Sequence, residues 1–197
     1  MKIKHIIISL MFILSLACYA QTADVEQLFQ TSLKEKNEDV VSIKCRFKQI
    51  RKVSYLAAAV EKEGDFIFTK PNDILLAFDD GDYIKMTSEY FEMKTGSNVA
   101  KTKVSSNPML KNLSSILSTC VMGDFDKMSD GFNVEIEQQA KEWIVILTPK
   151  QSKMAAKITN IILSFDSADM SLNQMKMVEK SGDYTSYTFT DKHETRR

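Results

Sequence analysis

One histidine, His193, follows the first twenty residues of this sequence, and it stands near the C-terminal end among polar residues. A Ser-His-Asp or Cys-His arrangement needs an imidazole held in place by a third group. The stretch Asp191–Arg197 reads as a frayed tail, which holds nothing in place. Cys45 and Cys120 are far apart and, with one histidine, give no metal-ligand spacing. The glycines are scattered singly, so there is no phosphate-binding loop. The acidic pairs Asp79-Asp80 and Asp124/Asp126 fall in turn-like stretches, where carboxylates are solvated rather than tuned as general acids. No catalytic constellation, metal site or cofactor motif can be assembled, and an enzyme is not expected. What the residues offer instead is apolar surface with one cation set in it. Phe66, Phe68, Lys70, Ile74, Leu76 and Phe78 share one parity, so a period-2 chain points them to one face. At a strand end Lys70 either snorkels to water or uses its three donors to hold something. Of eleven methionines, nine follow Ala20, among them Met86, Met93, Met109, Met122, Met175 and Met177. Such side chains fill an irregular core or adapt to varied apolar ligands.

The elements that must position these residues are mostly strands. Gln21–Asn37 has helical spacing, with Thr22 or Asp24 as cap and Val25, Leu28, Phe29 and Leu33 on one face. Period-2 runs then follow at Val40–Val53, Leu56–Thr69, Ile74–Asp79, Tyr83–Thr87, Tyr90–Lys94 and Val99–Val104. Lys70-Pro71-Asn72, Asp79-Asp80-Gly81 and Thr95–Asn98 break them. Asn107 caps a second helix with Pro108 in its first position. Its stripe is Leu110, Leu113, Ile116, Leu117, Cys120 and Val121, and Gly123 ends it. That helix either packs on the core or covers a cavity. Strands resume at Phe132–Glu137, Trp143–Leu147, Lys157–Phe165, Ser171–Glu179 and Tyr184–Phe189. The short connections imply an antiparallel meander of about eleven strands rather than βαβ units.

Met1–Ala20 reads as a secretory signal, with Lys2 and Lys4 before the apolar run Ile6–Leu16 and Ala17–Ala20 as cleavage site. Residues 21–197 then form a single domain. Ser15-Leu16-Ala17-Cys18 also resembles an imperfect lipobox, which would anchor the chain to a membrane through an acylated Cys18. Without the signal there are 24 basic residues against 26 acidic ones, which leaves nucleic-acid binding without a footing. Cys45 and Cys120 are read as free thiols, small and buried, although an oxidising compartment permits a bridge.

Phe47-x-Gln49 is followed by Gly64-Asp65-Phe66, which runs into Lys70-Pro71-Asn72. Later come Leu147-Thr148-Pro149-Lys150, a long strand, a turn and Gly182-x-x-Thr185-x-Tyr187-x-Phe189. In this order, across roughly Val25 to Phe189, the motifs resemble the periplasmic outer-membrane lipoprotein carrier family, LolA. The resemblance implies a mainly β fold, a strongly curved and incompletely closed antiparallel barrel around an apolar cavity covered by helices. It implies a monomeric periplasmic chaperone that takes acylated lipoproteins from an inner-membrane ABC exporter to an outer-membrane acceptor, without cofactor or hydrolysis. Alternatives with the same cavity are an anchored acceptor resembling LolB, or a carrier of another acylated lipid or pigment. Carried onto this sequence, the lipid-binding residues are Phe47, Phe66, Phe68, Ile74, Leu76 and Phe78 on the sheet. On the lid they are Leu110, Leu113, Ile116 and Leu117. The position of a lid-latching arginine in the family is occupied here by Lys70, which keeps the charge and loses the planar fork. The family's further loop and strand after the last one, tied to one-way transfer, have no counterpart before Arg197.

Overall fold

In the computed structural model, described here for residues 25–106, 114–119 and 125–197, alternation of apolar and polar residues becomes one sheet. Its first strand, β1 (Val40–Lys52), buries Cys45 and Phe47 and turns the charges of Arg46 and Lys48 outward. Four antiparallel neighbours follow by hairpins: β2 (Val60–Thr69), β3 (Asp73–Phe78), β4 (Tyr83–Met86) and β5 (Tyr90–Thr95). The exposed β6 (Asn98–Lys103) ends that half. The other half is β7 (Phe132–Gln138), β8 (Glu142–Pro149), β9 (Ile158–Asp166), β10 (Leu172–Glu179) and β11 (Tyr184–Arg196). The order is β6-β5-β4-β3-β2-β1-β11-β10-β9-β8-β7, all antiparallel, and the sheet does not close on itself. The antiparallel meander of eleven strands is what the alternation predicts, and the unclosed barrel is what the resemblance implies.

Three α-helices accompany the sheet within the described residues. Residues 25–37 form α1, which buries Phe29 and Leu33 and leaves Leu28 52% exposed, so Leu28 does not belong to the buried face. The described residues 114–119 are helical and are called α2; they bury Ile116 and Leu117. A short α3 (Ser152–Ala155) has no counterpart in the sequence reading. Two other differences have clear causes. Residues 54–59 are an exposed loop rather than the start of a strand, because Ala57–Ala59 bring neither branched nor aromatic side chains to a sheet surface. The tail is not frayed. Its residues to Arg196 pair with the first half of β1, and the Arg197 amide donates to the Asp39 carbonyl at 3.0 Å. A thirteen-residue β1 offers a partner for a strand whose own composition is too polar to announce itself. The signal segment, the lipobox with Cys18, the caps Thr22, Asp24 and Asn107-Pro108, and Cys120 to Asp124 lie outside the described residues.

The interior has two unlike halves. Under α1, Phe29 meets Phe125, Trp143 and Phe165 with ring centroids 5.5, 5.4 and 5.2 Å apart. This cluster is solid aromatic packing, each pair adding about 0.5–1.5 kcal/mol beyond burial. The half under β2–β5 and β10–β11 is not filled.

Candidate functional site

The unfilled half holds a cavity of about 170 Å³. Phe66 on β2, Leu76 on β3, Ile84 and Met86 on β4 and Phe91 on β5 form one wall. Opposite stand Ile161 on β9, Met175 and Met177 on β10, and Tyr187 and Phe189 on β11, with Leu117 of α2 above. Among the described residues the Tyr187 hydroxyl is the one side-chain polar group in the lining, and burial pushes its pKa up. A void so lined offers water a single side-chain partner, fewer than a buried water needs, and so favours hydrocarbon.

Three of the residues singled out from sequence, Phe66, Leu76 and Leu117, come together here. Phe68, Ile74 and Ile116 do not reach the cavity. They lie in the packed core, and Phe68 and Ile74 face one another at the turn end of the β2–β3 hairpin. Phe47 sits behind the wall, edge-to-face with Phe78 at 5.2 Å and 6.0 Å from Tyr187. Leu110 and Leu113 lie outside the described residues. Of the lining residues that sequence reasoning left out of the site, Phe91 and Ile161 stand singly and the rest form i, i+2 pairs: Ile84 with Met86, Met175 with Met177, and Tyr187 with Phe189. The parity rule used on β2 and β3 also fits Met175 and Met177 to an inward face, and extended to β4 and β11 it finds the other two pairs.

The turn Lys70–Asn72, entered through a cis Lys70-Pro71 peptide, ties the helices to this wall. Lys70 Nζ donates to the carbonyls of Asn37 at 2.8 Å and Glu38 at 3.3 Å. A cation there satisfies carbonyls that α1 leaves open at its C-terminal end and meets the negative pole of the helix. Burial, then the nearby Arg197, holds the Lys70 pKa below its ordinary value. Lys70 thus fastens α1, whereas the family resemblance points it at the lid. The helix above the cavity is fastened by a different group. Ser118 Oγ donates to the Pro71 carbonyl at 2.9 Å and sits against the Asn72 side-chain oxygen, one hydroxyl proton serving one acceptor at a time. Both helices are therefore moored to one three-residue turn.

Next to the main cavity lies a smaller one of about 40 Å³, where Phe66, Leu117 and Phe189 recur in the lining. Beyond them it is bordered by Ile43, Cys45, Asn37, Met170, Ser171, Leu172, Lys192 and Glu194. Cys45 is a free, buried thiol whose pKa burial pushes up to about 11, so it is neither a nucleophile nor a metal ligand at neutral pH. Among the described residues no group of three or more His, Cys, Asp or Glu side chains is placed to hold a metal ion. His193 is exposed on β11 opposite Lys44. No helix among the described residues is long and apolar enough to cross a membrane.

Comparison with known proteins matches residues 38–197 to the family model described as outer membrane lipoprotein carrier protein LolA. No curated protein sequence matches the chain. Among solved structures, a Vibrio parahaemolyticus domain described under outer membrane lipoprotein sorting aligns with TM-score 0.48 at 10% identity, over 88% of this chain and 93% of its own. A LolA superfamily protein from Nitrosomonas europaea aligns with TM-score 0.39 at 11% identity, covering 85% and 93%. The lipoprotein LppX of Mycobacterium tuberculosis aligns with TM-score 0.40 at 11% identity, covering 87% and 98%.

Proposed function

This chain belongs to the outer membrane lipoprotein carrier protein LolA family, and from that premise we propose that it shields the acyl chains of lipoproteins and carries them from the inner to the outer membrane. The carrying observation is the dry cavity of about 170 Å³ beneath a helix that side-chain hydrogen bonds hold to the turn Lys70–Asn72. Each acyl methylene moved from water into such a lining is stabilised by about 0.8 kcal/mol. A void of about 150 Å³ is enough for one small apolar ring, so the cavity as it stands admits the end of an acyl chain. Taking in a whole chain requires α2 to lift, and its moorings through Ser118 are few and polar. The methionines suit the task, because flexible thioethers accept a varied chain without a fixed shape. Delivery to an acceptor is served by the same looseness, since broad apolar contact without directional bonds holds cargo and lets it go. The reading includes an inner-membrane ABC exporter as donor, an outer-membrane acceptor, and a periplasmic protein released by cleavage after Ala20.

Native mass spectrometry of the protein isolated from its own cell envelope tests this. Acylated lipoprotein bound to a chain beginning at Gln21 supports the carrier. A chain beginning at an acylated Cys18 replaces it with an anchored acceptor, and other acyl lipids in the complex change the cargo. The variant Met177→Glu should bind no acyl species while keeping its fold, because it places a carboxylate in the dry lining of a half-buried position. Normal loading of that variant would mean that cargo sits elsewhere.

A further inference from the structure

Lys192 is a lysine turned into a barrel. On β11 the inward side chains are Tyr187 and Phe189, and strict alternation would send Asp191 in and Lys192 out. Between Arg46 paired with Thr190 and Lys44 paired with His193, β11 carries one residue more than β1, and Asp191 adopts φ 51°. This bulge reverses the parity, so that Lys192 and Glu194 border the smaller cavity beside Cys45 and Ile43.

There Lys192 Nζ donates to Ser171 Oγ at 2.8 Å and to the Asn173 side-chain oxygen, both neutral. It forms no ion pair within the described residues. The carboxylates around it have other partners. Glu194 is held by Arg196, Asp166 accepts the Ala168 amide, and Asp169 accepts the Ser171 amide. An ammonium has three donors, and the third has no acceptor among the described side chains. Burial already weighs against its charge and holds the pKa below the ordinary lysine value. The rings of Phe66 and Phe189, 5.2 Å apart, stand with Leu117 between this cation and the apolar cavity. One side of that aromatic partition is lined for hydrocarbon, and the other carries the Lys192 ammonium and, paired to Arg196, the Glu194 carboxylate.

We infer that Lys192 receives the anionic head, carboxylate or phosphate, of an amphiphile whose acyl tail occupies the main cavity. This assignment rests on the acyl-binding reading and narrows it: the ligand has a charged end and a defined direction in the barrel. A charge-assisted hydrogen bond in a partly desolvated site favours the anion over a neutral analogue by about tenfold or more.

The test is displacement of the neutral dye N-phenyl-1-naphthylamine by three ligands of one chain length: palmitoleate, its methyl ester, and palmitoleoyl lysophosphatidic acid. In the wild-type chain one or both anions should displace the dye at about one tenth of the ester concentration, and the more potent one names the head group. In Lys192→Met and Lys192→Gln, checked for folding by circular dichroism, that advantage should vanish while the ester is unaffected. Equal potency of acid, phosphate and ester in the wild type overturns the inference and leaves the acyl cavity standing. An anion preference that survives both substitutions overturns it as well, by placing the head at another group. If neither the dye nor any ligand binds, the acyl cavity fails and the head-group site falls with it.

Discussion

Gly64 shows how little room the wall has. A Cβ built on it would lie 2.1 Å from the Ala77 carbonyl oxygen on β3, a contact with backbone that no rotamer change relieves. The absent side chain also lets Phe47, its partner on β1, reach Phe78, its partner on β3. Gly64→Ala is expected to cost about 3 kcal/mol, a fall of roughly 10 °C in Tm for a chain of this size. A thermal melt within 2 °C of wild type would show that the strands separate there without penalty. Charges on the outer surface make a different prediction. The Arg46 guanidinium beside Asp79, and the Lys62 ammonium beside Asp80 and Asp82, hold these carboxyls below the usual carboxylate range. A carboxyl depressed in the folded state contributes stability above its unfolded value of about 3.9. That contribution disappears as the pH falls through the lower folded values. Urea midpoints should therefore decline below about pH 4, and less steeply in Lys62→Gln. Identical acid profiles for the two proteins would mean that these pairs are screened out. At this scale the sequence was partly legible. The cation among phenylalanines drew attention to Lys70, but its acceptors, the carbonyls of Asn37 and Glu38, belong to a distant helix end that no local pattern encodes.

The two helix moorings at Lys70–Asn72 should separate by experiment. Ser118→Ala removes the bond from α2 to the turn, so bound dye should leave several times faster in stopped flow while Tm changes by no more than a few degrees. Lys70→Met should leave that release rate unchanged and instead speed amide exchange in the last turn of α1. If the two variants swap these effects, Lys70 is the lid latch after all. Strands were the easiest elements to read, because a half-buried sheet face writes its period directly into the chain. The turn of the β2–β3 hairpin was expected within a residue, although β2 begins at Val60 rather than Leu56. Other elements had no such signature. Polar β11 residues beyond Phe189 are strand only because β1 extends beside them, which is tertiary context overriding composition. The four residues of α3 are too few to show a helical period. Leu28 fits the spacing of α1 yet faces solvent, since the buried stripe is narrower than the spacing alone allows.

A molecule with one packed half and one hollow half should respond unevenly to truncation. Phe165 is fully buried in the aromatic cluster, and Phe165→Ala should cost about 3–5 kcal/mol. Met177 borders the void and already lacks neighbours on one side, so Met177→Ala should cost about 1 kcal/mol. Urea unfolding at constant m-value checks both, and equal costs would mean that the hollow half closes up in solution. The strand count and antiparallel order were legible in the alternation, and the unclosed sheet only through the family resemblance. Which half is hollow was not, because volume left between side chains is a remainder of packing and no residue spells it. One consequence of the sheet order reaches beyond the finished structure. Strands β1 and β11 are separated in sequence by the nine other strands, yet they lie side by side in the middle of the sheet. As the exported chain emerges, N-terminal strands first, β1 therefore waits, with an open edge of thirteen residues, until the other strands of the sheet have followed. Such an edge is a template for pairing with a foreign chain, and contacts so distant in sequence form slowly. The protein is most exposed to misassembly between the emergence of Lys52 and that of Tyr184. Slowing the emergence of the exported chain inside that interval should increase aggregation without altering the stability of molecules that complete the fold.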